Sequence, residues 1–121
     1  MQEISAKIIK QKIICSNISV SRDLTKKFEL NMECKAKMKT PKNEKDKTIL
    51  LNMELNVGTK DEKLAIKLLA DIIFELDLLP DDYDRIGQQK LVPMAREALL
   101  NSLDEQLLIM GYNKMELAEK I

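Results

Sequence analysis

Phe28-Glu29-Leu30-Asn31-Met32-Glu33-Cys34-Lys35-Ala36-Lys37-Met38 alternates without a break. Successive side chains of an extended chain point to opposite faces, so Phe28, Leu30, Met32, Cys34, Ala36 and Met38 share one side and the charged and amide residues share the other. This is the pattern of an antiparallel strand with one packed face and one wet face. Downstream, Thr40-Pro41-Lys42-Asn43-Glu44-Lys45-Asp46 breaks the alternation with turn formers and charges. Alternation resumes in Ile49, Leu51, Met53, Leu55 and Val57, and Gly58 opens a short polar turn. Leu64, Ile66, Leu68, Ala70, Ile72, Phe74 and Leu76 then form the inward set of another strand, so the two runs read as a long hairpin. Upstream, Ile4 to Val20 is β-branched, but its phase slips between Ile8 and Ile9 and again between Ile13 and Ile14. A bulge at each point accounts for the slips.

From Pro93 to Met110 the period becomes helical, with Pro93 as a first-turn residue and Gly111 as the terminator. Its apolar residues cover an arc of roughly 200°, leaving Glu97, Asn101 and Asp104 in the remainder, whereas a helix on one sheet needs a stripe of about 100°. The surplus, with Leu100 and Leu107 at its edge, needs a second cover. That cover is either another protomer or the segment from Lys114 to Ile121 folded back. The isoleucine-rich first strand, with Ile13 and Ile14, is the other candidate subunit contact.

The 121 residues suit a single domain spanning 1–121 that needs no metal or disulfide to hold a core. With 45% apolar and 33% charged residues and only six Gly plus Pro, the chain reads as a folded globule. Twenty basic residues balance twenty acidic ones, so no long-range field draws the chain to nucleic acid or to an anionic membrane. Lys7, Lys10 and Lys12 interrupt the apolar N-terminal stretch, which excludes a signal-peptide core or a spanning segment there and points to the cytoplasm. In that reducing compartment Cys15 and Cys34 read as free thiols.

No histidine is present, which removes the usual general base and the imidazole metal sites. Two cysteines cannot build a four-thiolate zinc site, and the three glycines lie too far apart for a phosphate loop. Asp81-Asp82-Tyr83-Asp84 lacks the ligand spacing of a calcium loop and suits helix capping. Glu33 and Glu54 read as solvated strand residues rather than an acid–base pair. The expectation is a non-enzyme without cofactors. Leu50, Leu69 and Ile73 stand on the otherwise polar faces of their strands and form either a contact patch or scattered surface aliphatics. Seven methionines against four aromatics suit an adaptable apolar surface or a core filled by Met32 and Met53.

Four antiparallel strands followed by Leu91-Val92-Pro93-Met94-Ala95-Arg96-Glu97 resemble the SecB family of export chaperones, whose long helix opens with a similar apolar-apolar-Pro-aromatic-Ala-Arg-Glu run. The stretch from Ile66 to Leu76 is similar to that family's last strand. The resemblance implies an α+β fold with a four-stranded antiparallel sheet and one long helix packed on one face. The surplus arc and the first strand call for a homo-oligomer, dimer or tetramer, and the resemblance implies a tetramer built as a dimer of dimers. It also implies an ATP-independent holdase for non-native polypeptides, serving protein export with the SecA translocase motor or a dedicated client such as an antitoxin. The chain departs from the family at Met110-Gly111-Tyr112-Asn113-Lys114-Met115, where SecB continues with a Pro-x-Leu-Asn-Leu-x-Pro-like segment and a second helix. The acidic surface and C-terminal tail that engage SecA are not located in this sequence. Candidate polypeptide-binding residues are Leu50, Leu69 and Ile73 together with Leu78, Leu79, Tyr83 and Ile86 in the strand-to-helix crossing. The alternative is a structural or assembly protein of a phage or mobile element that uses the same body for one folded partner.

Overall fold

The computed structural model describes residues 4–25, 27–41, 45–113 and 115–120. Four strands, β1 (Ala6–Val20), β2 (Asn31–Lys39), β3 (Thr48–Gly58) and β4 (Leu64–Leu76), form one antiparallel sheet in the order β1-β4-β3-β2. A short α1 (Tyr83–Ile86), a wide π-helical segment (Gly87–Leu91), α2 (Val92–Ile109) and α3 (Leu117–Lys120) follow. The four-stranded antiparallel sheet followed by one long helix is the α+β architecture that the family resemblance implies. Within the connection between β2 and β3, the expected turn residues Lys42, Asn43 and Glu44 lie outside the described residues, as do Met1 to Glu3 and Lys114 toward either end of the chain.

The bulges stand where the isoleucine phase slips. Ile8 pairs with Phe74 and Lys10 with Ile73, leaving Ile9 as the extra residue; Ile13 pairs with Ala70 and Cys15 with Leu69, leaving Ile14 as the other. Each one-residue register shift returns the following isoleucine to the packed side, so β1 stays paired with β4 over its whole length. Residues 21–25 and 27–30 belong to the connection from the β1 edge to the β2 edge around the β3–β4 turn. Ser21 N–H donates to the Lys63 carbonyl at 2.6 Å and Lys63 pairs with Asp23 at 3.3 Å. Gly58 enters that turn because any Cβ there would lie 2.7 Å from the Leu64 carbonyl oxygen.

The core lies between the sheet and α2. Every inward residue of β3 and β4 is buried, and Leu91, Ala95, Leu99 and Leu103 of the helical arm close over them. Two hydrogen bonds tie α2 to β1, from Gln11 Nε2 to Ser102 Oγ at 2.7 Å and from Ser16 Oγ to Gln106 Oε1 at 2.8 Å.

The helical arm starts at Tyr83, well before Pro93. Asp82 caps α1 by accepting the Arg85 N–H at 3.2 Å, the role expected of this acidic run. The chain then stays helical through Gly87–Leu91, where the Val92 N–H reaches the Gly87 carbonyl five residues back. Pro93 has no N–H to give to a carbonyl four residues back, and the wider turn accommodates its ring. At the other end Gly111, with φ +99°, stops the helix. Tyr112 N–H donates to the Leu107 carbonyl at 2.9 Å and Gly111 N–H to the Leu108 carbonyl at 3.1 Å, a Schellman closure.

The surplus apolar arc is covered within the chain. Leu100 is 3% and Leu107 0% exposed, and Leu117 of α3 is fully buried beside α2. Asp104, expected on the wet side, is buried because its carboxylate accepts the Leu117 N–H at 3.1 and 3.2 Å. Of the two covers open to the sequence, the returning C-terminal segment is the one present. Leu100 and Leu107, expected at a subunit interface, are therefore core residues. Ile13 is half-buried against the same core, and Ile14, the bulge residue, is 53% exposed.

Candidate functional site

The seven residues expected to bind polypeptide divide between two places. Leu50, Leu69 and Ile73 belong to the sheet face opposite α2. Leu78, Leu79, Tyr83 and Ile86 belong to the crossing from β4 to the helical arm.

At the crossing, the chain leaves β4 under restraint. Asp77 N–H donates to the Ser5 carbonyl at 3.0 Å, and Ser5 N–H returns a bond to the Asp77 carboxylate at 2.8 Å. Pro80 and the Asp82 cap then redirect it into α1. Between these anchors Leu78 is half-buried and Leu79 is 45% exposed, while Tyr83 is half-buried against the core. Ile86 is buried and unavailable without rearrangement. Immediately beyond it Gly87 packs against β2, so closely that a Cβ there would lie 3.2 Å from the Met38 sulfur. The crossing thus sets leucines, a tyrosine and an adaptable methionine at one margin of the sheet, a surface fit to accept varied apolar side chains.

The open sheet face is ordered in rows by strand register. Lys10, Ile73, Leu50 and Lys39 lie side by side across the four strands; Lys12, Asp71, Asn52 and Lys37 form the next row, and Cys15, Leu69, Glu54 and Lys35 the one after. Asn52 Nδ2 donates to Asp71 at 2.6 Å, and Glu54 pairs with Lys67 at 3.7 Å, so the central charges are satisfied on the face itself. Leu50 and Ile73 are direct cross-strand neighbours and both are half-buried, whereas Leu69, also half-buried, lies two rows away beyond the Asp71–Asn52 row, so two of the three expected residues adjoin. Glu33 stands opposite Asn56, and Glu54 opposite Lys35 and Leu69, so the two glutamates are diagonal neighbours on the open face rather than direct cross-strand partners, and Glu54 pairs with Lys67.

A third apolar surface was missed by the sequence reasoning. Leu108, Ile109, Met110 and Tyr112 are exposed at the end of α2, Ile109 at 87%. The run Leu107-Leu108-Ile109-Met110 carries the signal, since four consecutive apolar residues cannot all share one helix face.

Among the described residues, no group of three or more Cys, Asp or Glu side chains could hold a metal ion. Cys15 and Cys34 are free; they sit on opposite edge strands and opposite faces, beyond the reach of a disulfide. Burial raises the Cys34 thiol above its ordinary value, and the Arg96 charge opposes this only partly. No helix among the described residues is long and apolar enough to cross a membrane.

No protein-family model matches the chain, and no curated protein sequence matches it. Its structure is similar to that of the Mycobacterium tuberculosis SecB-like chaperone Rv1957, solved in complex with a ChAD peptide from the Rv1956 HigA1 antitoxin. The two share a TM-score of 0.69 and 6% sequence identity, over 90% of this chain and 85% of that one. The likeness is one of fold: the chain has the SecB-like architecture.

Proposed function

We propose that this protein is an ATP-independent, SecB-like holdase of the cytosol that binds non-native polypeptides, for export or for a dedicated client such as an antitoxin. The observation that carries the reading is the anchored crossing, where Leu78, Leu79 and Tyr83 stay accessible on a fold similar to that of a chaperone solved with a peptide bound. Its mechanism is burial rather than chemistry. Exposed apolar segments of a client cover Leu79 and Tyr83, and the entropy lost by the client keeps affinity per unit area low enough for release.

Self-assembly accompanies this function in our reading. With Leu100 and Leu107 covered inside the chain, the support comes from the 15-residue edge strand β1, with Ile9 and Ile14 exposed on it, and from the tip of α2. A dimer or tetramer at micromolar concentration is expected by light scattering, and Ile14→Lys should shift it toward monomer.

The function is tested by aggregation suppression with several unrelated denatured proteins. Stoichiometric protection of most of them, lost in Leu79→Asp, supports the holdase. Protection of none indicates the assembly role for a single folded partner.

A further inference from the structure

We propose that the open face of the sheet is a second docking surface, built for an acidic amphipathic helix of a partner polypeptide. Charges on this face are compensated unevenly. In the middle of the face Asp71 is held by Asn52 and Glu54 by Lys67. Along one edge strand Lys7, Lys10 and Lys12 are exposed, and along the other Lys35, Lys37 and Lys39 are exposed. Among the described residues none of these six lysines forms an ion pair. Glu75 faces Lys7, Asp71 faces Lys12 and Glu54 faces Lys35 across the strands, and Glu33 shares the β2 edge, so lysines exceed carboxylates on this face and line both sides of a centre that carries Leu50, Ile73 and Leu69.

The dimensions select the occupant. Three strand spacings separate β1 from β2, about 14 Å in all. An α-helix with its side chains is about 10–12 Å across, so one helix laid along the strands fills the space between the lysine rows. Its apolar stripe would cover Leu50 and Ile73, and carboxylates on its two flanks would reach the lysines. A second copy of this chain fits poorly face to face, because each basic margin would meet a face with an excess of lysine. A phosphate backbone fits poorly too, since Asp71 and Glu54 stand in the middle of its path. This surface is distinct from the crossing used in the holdase reading, and either can fail without the other.

The test uses the 121-residue chain and a fluorescein-labelled helical peptide of about 18 residues, ~27 Å long, with leucine on one stripe and glutamate on both flanks. Saturable binding is expected by anisotropy, weakening as salt rises from about 0.05 to about 0.5 M. Lys10→Glu with Lys37→Glu should weaken it about tenfold and should instead favour the peptide with lysine flanks. Those substitutions are at exposed positions and should leave aggregation suppression unchanged. Backbone amide shifts should follow β1, β4, β3 and β2 around the Lys10 and Lys12 rows. Equal binding by the charge-reversed protein, shifts confined to the β4–α1 crossing, or tighter binding to duplex DNA or to phosphatidylserine vesicles than to the peptide would each overturn the proposal.

Discussion

The two faces of one sheet have opposite constructions. On the covered face, β3 and β4 contribute an unbroken set of buried aliphatics that α2 and α3 seal. On the open face the same two strands supply Leu50, Ile73 and Leu69 among self-paired charges, with exposed lysines outside any described ion pair at either edge. Stability is concentrated on the first face, and the recognition proposed here falls on the second face and at the crossing. A side chain's apolar character does not tell which of these roles it has; its register does.

Truncation on each face is the most forceful way to break this comparison. Leu103→Ala should cost about 2–5 kcal/mol in denaturant unfolding, because a fully buried leucine leaves a cavity. Leu50→Ala should cost about 1 kcal/mol or less, the scale of a half-exposed cross-strand pair. Equal losses would mean that the open face is packed against something in solution. Next in size, Asp104→Ala leaves the buried Leu117 N–H without its acceptor and should cost about 1–3 kcal/mol. Hydrogen exchange at Leu117 should accelerate in that variant. No acceleration would mean that the returning segment is held by apolar contact alone.

What is legible in the sequence depends on whether the determining partner is local. The bulges at Ile9 and Ile14 are readable because an isoleucine doublet breaks a period of two within the strand itself. The Asp82 cap and the Gly111 stop are readable for the same reason. The burial of Asp104 is not, since its partner is a backbone N–H thirteen residues away. The early start of the helical arm is hidden because Pro93 reads as a first turn, while the widened turn before it leaves no apolar signature in Gln88, Gln89 and Lys90. Leu100 and Leu107 look like interface residues because the period gives the width of an arc and not the identity of its cover. The lysine rows need the register of four strands at once.

The smallest effect concerns the sheet ends. Asp46, bonded first to the Thr48 hydroxyl and then to its N–H, and Asp61, bonded to the Thr59 hydroxyl and the Lys63 N–H, have carboxyls held below the usual range. A depressed folded value means that the contribution is complete above the unfolded value of about 3.9 and is lost as the pH falls through the folded one. The thermal midpoint should therefore decline below about pH 4, and Asp46→Asn should flatten part of that decline. An unchanged acid limb would show that these turns do not contribute to it.

Client binding at the crossing is tested most directly by hydrogen exchange of the protein alone and saturated with a permanently unfolded polypeptide of neutral net charge. Slowed exchange is expected across residues 78–86, with the covered face already protected in both states. Unchanged exchange across 78–86, with slowing only on the rows around Lys10 and Lys39, would contradict it.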